Sequence, residues 1–305
     1  MMSILTPTAP PTRRPPPRTT RGPVSRARSS RARSSQGPTS LGIVDIAAML
    51  LLALLVIAVL TPSLLAPGDP LGTATVQALD GPSLTHWLGT DYLGRDLYTR
   101  IVHGARTSLS ASAVAVAVGL AGGLALGIVS GYLGGWVDAV VSRLIDVLLS
   151  VPGLLLSMVI IVALGFGAIN AAIAVGISSI ASFARVTRAE VLTVRTSSYV
   201  EAAQHQGSSR WRTLIHHILP NAVGPVASLI PLQFGGSIVW ISSLSFLGFG
   251  AVPPHPEWGL LVAEGRQYLL SAPWLLLAPG AVIVITVLAA SHLQGVLGRI
   301  RRTTA

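Results

Sequence analysis

The 305-residue sequence predicts an all-α integral membrane protein with six transmembrane helices, and three observations carry that expectation. Hydrophobic residues make up 51% of the chain and charged residues only 10%, a balance outside the range of ordinary soluble domains. The apolar residues fall in long runs. Positions 107–137, 147–184, 213–256 and 267–298 contain no Asp, Glu, Lys or Arg, and each run exceeds the ~20 apolar residues that cross a bilayer core. The charges between the runs are distributed unequally over alternate connecting segments, as a membrane topology requires.

The elements follow in order. Residues 1–40 are rich in Pro, Ser, Thr and Arg, with eight Arg and no acid. They are expected to form a disordered basic cytoplasmic tail that touches anionic lipid. The apolar stretch behind this tail is long and lacks a small-x-small cleavage site, which argues against a removed targeting signal. The first span covers 41–60 and is closed by Thr61 and Pro62, giving a segment 41–61. An extracytoplasmic segment, 62–104, follows. The remaining five spans fill 105–294, at 107–130, 144–164, 169–184, 221–246 and 273–294, with Gly165-Phe166-Gly167 separating the third from the fourth. A short cytoplasmic tail, 295–305, ends the chain.

Arginine placement sets the orientation. All 21 basic residues are Arg, and 17 of them lie in the segments that fall inside if the N-terminus is inside. The outer segments hold Arg95, Arg100, Arg106 and Arg266 against six acids, Asp69, Asp80, Asp91, Asp96, Glu257 and Glu264. Both termini are therefore expected in the cytoplasm, and the net charge of +10 reflects topology rather than a nucleic-acid surface. Without Cys there is no disulfide or thiolate metal site. Without Lys the chain cannot contain a Walker-type phosphate loop. No cofactor and no metal site are expected. His216 and His217 are adjacent, face different ways on a helix and make no metal pair.

Local patterns add detail. Gly119, Gly123, Gly127 and Gly131 repeat at spacing four in the second span, which favours close helix packing. Thr90 or Asp91 is a candidate helix cap, and Asp96 and Arg100 form a candidate i,i+4 pair. Pro225, Pro231 and Pro279 are expected to kink the last two spans. The longest cytoplasmic loop, 185–220, reads Tyr199-Val200-Glu201-Ala202-Ala203-Gln204-His205-Gln206-Gly207 at its centre and His217-Ile218-Leu219-Pro220 at its end. Glu201, Ala202 and Ala203 favour helix, Gly207 stops or bends it, and Pro220 starts the next span. A short helix, a turn and a second helix would make a rigid cytosolic knob whose small Ala side chains let a partner approach. The same features also fit an interfacial amphipathic helix with no partner.

Glu201-Ala202-Ala203, then Gly207, then Ile218-Leu219-Pro220, resembles the loop of binding-protein-dependent ABC importer permeases. His217 with Ile218 after it is similar to the dipeptide/oligopeptide/nickel branch. Gly89-Thr90-Asp91-Tyr92-Leu93-Gly94-Arg95-Asp96, Arg143 to Asp146 with Pro152, Ser245 to Gly248, Trp258-Gly259, Glu264-Gly265-Arg266 and Ala272-Pro273-Trp274 look like its C-type subunit. The likeness covers roughly 41–290. It departs from the branch after the sixth span, where Ser291 to Arg299 carry no acid in place of an acidic Gly-Asp tail.

The resemblance implies a type-1 ABC permease fold in a bacterial cytoplasmic membrane. It also implies a second related permease, two cytoplasmic ATP-binding subunits and an extracytoplasmic solute-binding protein as partners. Loop 185–220 would then be the ATPase-coupling loop, with Glu201 orienting the knob, Ala202 and Ala203 filling a groove on the ATPase, and Gly207 making the turn. The implied solutes are di- or oligopeptides, with nickel, metal chelates and glycosides as relatives of the same branch.

Two other classes fit less well. An ion-coupled transporter would place ionisable groups at mid-membrane, whereas Asp45, Asp146 and Glu190 fall towards cytoplasmic helix ends. A membrane enzyme would need a His-Glu-x-x-His, a Gly-x-Ser-x-Gly or paired carboxylates inside a span, and none is present.

Overall fold

The computed structural model describes residues 43–73 and 77–304, the last nine of these by backbone alone. The basic tail expected at 1–40 lies outside the described residues. Among the described residues there is no β-strand, only an isolated antiparallel bridge between Thr90 and Asp96.

Helices α1 (Ile43–Leu60), α3 (Leu97–Leu133), α6 (Ala168–Arg195) and the first part of α12 (Trp274–Thr304) are each long and apolar enough to cross a bilayer unbroken. Two further traverses are bent. Helices α4 (Gly135–Ser150) and α5 (Gly153–Leu164) meet at 94°, and the segment Arg210–Ala227 meets α10 (Ile230–Phe246) at 48°. With each bent pair taken as one span there are six. Short helices α2 (Pro62–Leu65), α7 (Ser198–His205) and α11 (Trp258–Gly265) occupy the connections, and α8 (Arg210–Thr213) and α9 (Leu219–Ala227) belong to the first arm of the second bent pair.

The bends have local causes. The third span was expected as one helix over 144–164, but helix begins at Gly135 and breaks before Gly153. Pro152 excludes the α conformation at the preceding residue, and Val151 accordingly takes φ −89° and ψ 129°. In the fifth span Pro225 lies inside α9, and the chain then tightens into i→i+3 bonds, Ser228 N–H to the Pro225 carbonyl and Leu229 N–H to the Val226 carbonyl. Pro231 sits in the first turn of α10, where a missing N–H costs nothing. Pro279, by contrast, lies inside a helix that runs without interruption to Thr304.

Helix α3 is the centre of the bundle and lies against α6 along the glycine face. A Cβ on Gly123 would come within 2.2 Å of the Phe183 Cβ, one on Gly127 within 2.5 Å of the Thr187 Cβ, and one on Gly131 within 2.9 Å of the Val191 Cβ. From the other side, a Cβ on Gly176 of α6 would meet the Ala115 carbonyl at 2.8 Å. Side chains are absent where backbones touch, so dispersion and weak Cα–H contacts replace the hydrophobic drive that lipid cannot supply. Around this pair, Ala111, Ala115, Ile161, Ala171, Val175, Ile241 and Leu244 join α3, α5, α6 and α10 in one core cluster. Outward faces remain apolar and exposed, as at Ile43, Leu50, Val159, Val284 and Leu288, which is the surface a lipid solvent accepts.

On the expected extracytoplasmic side, the Gly89–Asp96 stretch is folded against α11 and α12. Asp91 accepts from Arg95 Nε at 2.7 Å and from Arg100 Nη1 at 2.6 Å, and Arg100 Nη1 also donates to Glu264 at 2.9 Å. The Arg100 partner is therefore not Asp96. Asp96 instead caps α3, accepting from the Thr99 N–H at 2.8 Å, and takes the capping place expected for Thr90 or Asp91. Asp91, Arg95 and Arg100 are all buried, and through Arg100 they tie the start of α3 to Glu264 of α11. Glu257 is buried as well and caps α11 through the N–H groups of Gly259 and Leu260, while Trp258 Nε1 donates to the Ile101 carbonyl of α3 at 2.9 Å.

Gly123→Ala is expected to lower the stability of the detergent-solubilised protein by about 1–3 kcal/mol, the usual cost of overpacking. Gly280→Ala, whose added Cβ meets nothing within 4 Å, is the control for the helix propensity both changes gain. Equal melting temperatures in the two variants would remove the α3–α6 contact from its central place.

Candidate functional site

The long loop leaves α6 at Arg195 and forms a helix, a turn and a second helix before the fifth span begins. Helix α6 continues well past the expected end at 184, so Arg185, Arg188 and Glu190 belong to it. At 1.5 Å per residue α6 is about 40 Å long, which exceeds a ~30 Å hydrocarbon core and carries its last turns out of it. Here Arg188 holds Asp138 of α4 in a two-point pair, Nε to Oδ1 at 2.6 Å and Nη2 to Oδ2 at 2.7 Å. The root of the loop is thus braced to α4 before α7 starts.

Helix α7 carries Glu201 in its first turn, where a carboxylate is favoured by the unsatisfied N–H groups. Glu201 and Ala202 are exposed and Ala203 is half-buried. The helix ends at His205, and Gly207 makes the turn with φ +86°, a left-handed conformation that side chains disfavour. Ser209 then caps α8, its hydroxyl accepting from the Arg212 N–H. The chain widens into a π-helical turn over Leu214–Ile218, in which the Leu219 N–H reaches the Leu214 carbonyl. Pro220 has no N–H to give the His216 carbonyl and its ring crowds that oxygen, so the wider turn relieves the clash.

The predicted site residues divide into two groups. Glu201, Ala202, Ala203 and Gly207 lie together on α7 and its turn, all exposed except the half-buried Ala203. Ile218 is fully buried, Leu219 is half-buried and Pro220 is exposed in the first turn of α9. Ile218 packs with Val191, Val200, Leu214 and Ala222 in a core of its own. Its place is therefore beneath the knob, joining α7 to the root of the fifth span, and not on a contact surface. His216 is exposed and His217 half-buried, and no group of three or more His, Cys, Asp or Glu comes together as a metal cluster among the described residues.

Several residues that hold the knob were not singled out from sequence. Tyr132 at the end of α3 donates its hydroxyl to the Arg210 carbonyl at 2.6 Å, and Arg195 Nη1 donates to the Tyr132 carbonyl at 3.0 Å. These two bonds clamp the loop to the end of the helix that forms the bundle's centre. Tyr132, Leu133, Arg195, Glu201, Gln204 and Arg210 line a cleft of about 570 Å³ beside α7. Tyr199, Trp211 and Ile215 add exposed apolar surface on the same loop. Their signal in the sequence was the presence of large apolar residues in a segment otherwise polar and basic, which the helix-and-turn pattern left unused.

Comparison with known proteins gives three findings. Residues 123–302 match a family described as binding-protein-dependent transport system inner membrane component. Among curated proteins, the chain is 39% identical to the dipeptide transport system permease protein DppC of Alkalihalophilus pseudofirmus, over 69% of each chain. It is 40% identical to the glutathione transport system permease protein GsiD of Pectobacterium atrosepticum, over 69% of this chain and 70% of that one. Among solved structures, it resembles a chain of the MetNI methionine ABC transporter in inward-facing conformations, with a TM-score of 0.56 at 18% identity, covering 68% of this chain and 96% of that chain. An amino acid ABC transporter gives a TM-score of 0.53, also at 18% identity, over 66% and 94%.

Val200→Ala removes two methyl groups from the core under α7, a truncation expected to cost about 2 kcal/mol locally. Amide exchange over 198–206 should speed by roughly 30-fold, while exchange in α3 and α6 stays unchanged. Unaltered protection in α7 would mean that the knob is not held by this cluster.

Proposed function

The chain belongs to the family of binding-protein-dependent transport system inner membrane components, and from that membership we propose that it is the C-type permease subunit of an ATP-driven importer of short peptides. The first observation behind the solute is that both named relatives carry peptides, a dipeptide in one and the tripeptide glutathione in the other. The observation that carries the mechanism is the exposed α7–Gly207 turn, seated on its own buried cluster and clamped to α3. A lever needs a stiff connection to the part it moves, and this one has it.

In this reading a solute-binding protein delivers peptide at the outer face, and a second, related permease completes the path. Two cytoplasmic ATPase subunits close on ATP and push on α7, with Glu201, Ala202 and Ala203 against the ATPase and Gly207 forming the corner. Force passes through Val200 and Ile218 into α9, and through Tyr132 and Arg195 into α3 and α6, rocking the two permeases between inward- and outward-open states. The chain's own residues perform no bond chemistry. The chain sits in a bacterial cytoplasmic membrane with both termini inside, in keeping with the Arg bias.

Gentle affinity purification from native membranes with mass spectrometry is the direct test. A second six-span permease and one or two P-loop ATPases should remain bound, and recovery of the chain alone, with detergent loss ruled out, would count against the reading. Gly207→Asp is expected to reduce peptide uptake at least tenfold while membrane insertion is retained. Normal uptake in that variant would remove the turn from the coupling path.

A further inference from the structure

A small cleft of about 140 Å³ opens between α3, α6 and α10, and its lining is unlike the apolar surface around it. Ser178, Ser179 and Ser182 of α6 and Gln233, Ser237 and Trp240 of α10 contribute to it, and no charged side chain does. At 1.5 Å per residue, Ser182 lies on the order of 20 Å from the Ala168 end of α6, and Gln233 about as far from the Phe246 end of α10. Both ends belong to the expected extracytoplasmic side. The cleft therefore falls within the depth of the hydrocarbon core.

The hydrogen bonds of its lining separate into two sets. Ser178 donates to the Ala174 carbonyl and pairs with Ser157, Ser179 donates to the Gly176 carbonyl, and Ser237 donates to the Phe234 carbonyl. These hydroxyls are satisfied by their own helices. The carboxamide of Gln233, the hydroxyl of Ser182 and the indole N–H of Trp240 form no hydrogen bond with the described residues; Ser182 is exposed and Gln233 and Trp240 are half-buried, so all three are open to whatever fills or covers the cleft. An amide, a hydroxyl and an indole N–H left unpaired at this depth are unfavourable against lipid. Water or a polar solute relieves that cost.

Trp240 also has a defined seat. Its ring packs against Gly153, where an added Cβ would stand 2.1 Å from the Trp240 Cη2. Gly153 is the first residue of α5, directly after the 94° bend. A change in the angle between α4 and α5 is thus transmitted to a side chain that lines the cleft.

Resting on the permease reading above, we propose that this cleft is the stretch of solute path carried by this chain. In it Gln233, Ser182 and Trp240 hydrogen-bond in turn to the neutral amide groups of a passing peptide. A carboxamide offers both a donor and an acceptor to a peptide bond. Neutral groups hold a solute strongly enough to replace its hydration and weakly enough to release it, whereas a charge in this place would trap it.

The natural chain has no cysteine, which makes single-cysteine labelling direct. Ser182→Cys, Gln233→Cys and, on the exposed apolar face of α12, Val284→Cys are introduced one at a time. Each is co-purified with its partners, reconstituted and exposed to a cationic methanethiosulfonate. The first two should react at least tenfold faster than Val284→Cys, and their rates should change at least tenfold on trapping with ATP and vanadate. Slow reaction in a preparation that retains its ATPase partners overturns the proposal and leaves the permease reading standing. Fast reaction that trapping does not alter also overturns it, since a fixed water-filled crevice is no path. Absence of ATPase partners from the preparation overturns the permease reading, and the proposal with it.

Discussion

The close approach of α3 and α6 sets the position of almost every other element. Gly123, Gly127 and Gly131 leave no room for a Cβ between the helices, with Phe183, Thr187 and Val191 filling the space from the other side. In lipid the helices gain little by hiding apolar surface from one another, so the contact depends on how near the backbones come. Because α3 runs for 37 residues, from the buried charges at its start to Tyr132 near its end, a single rigid rod connects both faces of the protein. Elements attached to either end are attached to the same body.

At the Leu97 end of α3 the attachment is ionic. Arg100 is fully enclosed and shared between Asp91 and Glu264, so one guanidinium links the segment before α3 to α11. Removing one member of such a buried set typically costs about 3–5 kcal/mol, because the remaining charge has no water to turn to. At the other end, expected to be cytoplasmic, the attachment is a small apolar core with hydrogen bonds around it. Val200 and Ile218 lie inside, and the Tyr132 hydroxyl and Arg195 guanidinium hold the backbone outside. The knob is therefore packed and hydrogen-bonded onto the ends of α3 and α9, while Glu201, Ala202 and Gly207 are exposed. Between the two ends, the bends at Pro152 and beyond Pro225 are the places where the spans themselves deviate.

Much of this was legible in the sequence, with a physical reason in each case. The start of the second span was not. Helix begins ten residues before the expected start at 107, because Asp96 caps it and the carboxylates of Asp91 and Glu264 offset the Arg100 charge that marks an ordinary span boundary. The third span was misjudged for the opposite reason. Its apolar run is continuous across Pro152, and hydropathy is blind to the backbone conformation that a proline imposes on its neighbour. The resemblance of its motif places Ile218 in the coupling loop and says nothing of facing; it is buried, in a π-turn that resets which side of the helix each residue faces. Tyr132 was invisible as a clamp because its partner, the Arg210 carbonyl, is 78 residues away and carries no sequence signature.

What the sequence determined by itself is the solvent, the number of traverses and the presence of a turn at Gly207, and its arginine bias sets the expected direction of insertion. Each of these rests on free energies that add up locally, such as transfer of apolar side chains, placement of arginines beside the membrane and the φ that only glycine adopts freely. The tertiary structure alone decided which charges pair, which loop residues are buried and which polar side chains line the cleft between α3, α6 and α10. Those outcomes depend on which backbones come close in space. Arg100 chose Asp91 and Glu264 over the Asp96 four residues before it because capping of α3 had already engaged that carboxylate, and because α11 brings Glu264 within reach.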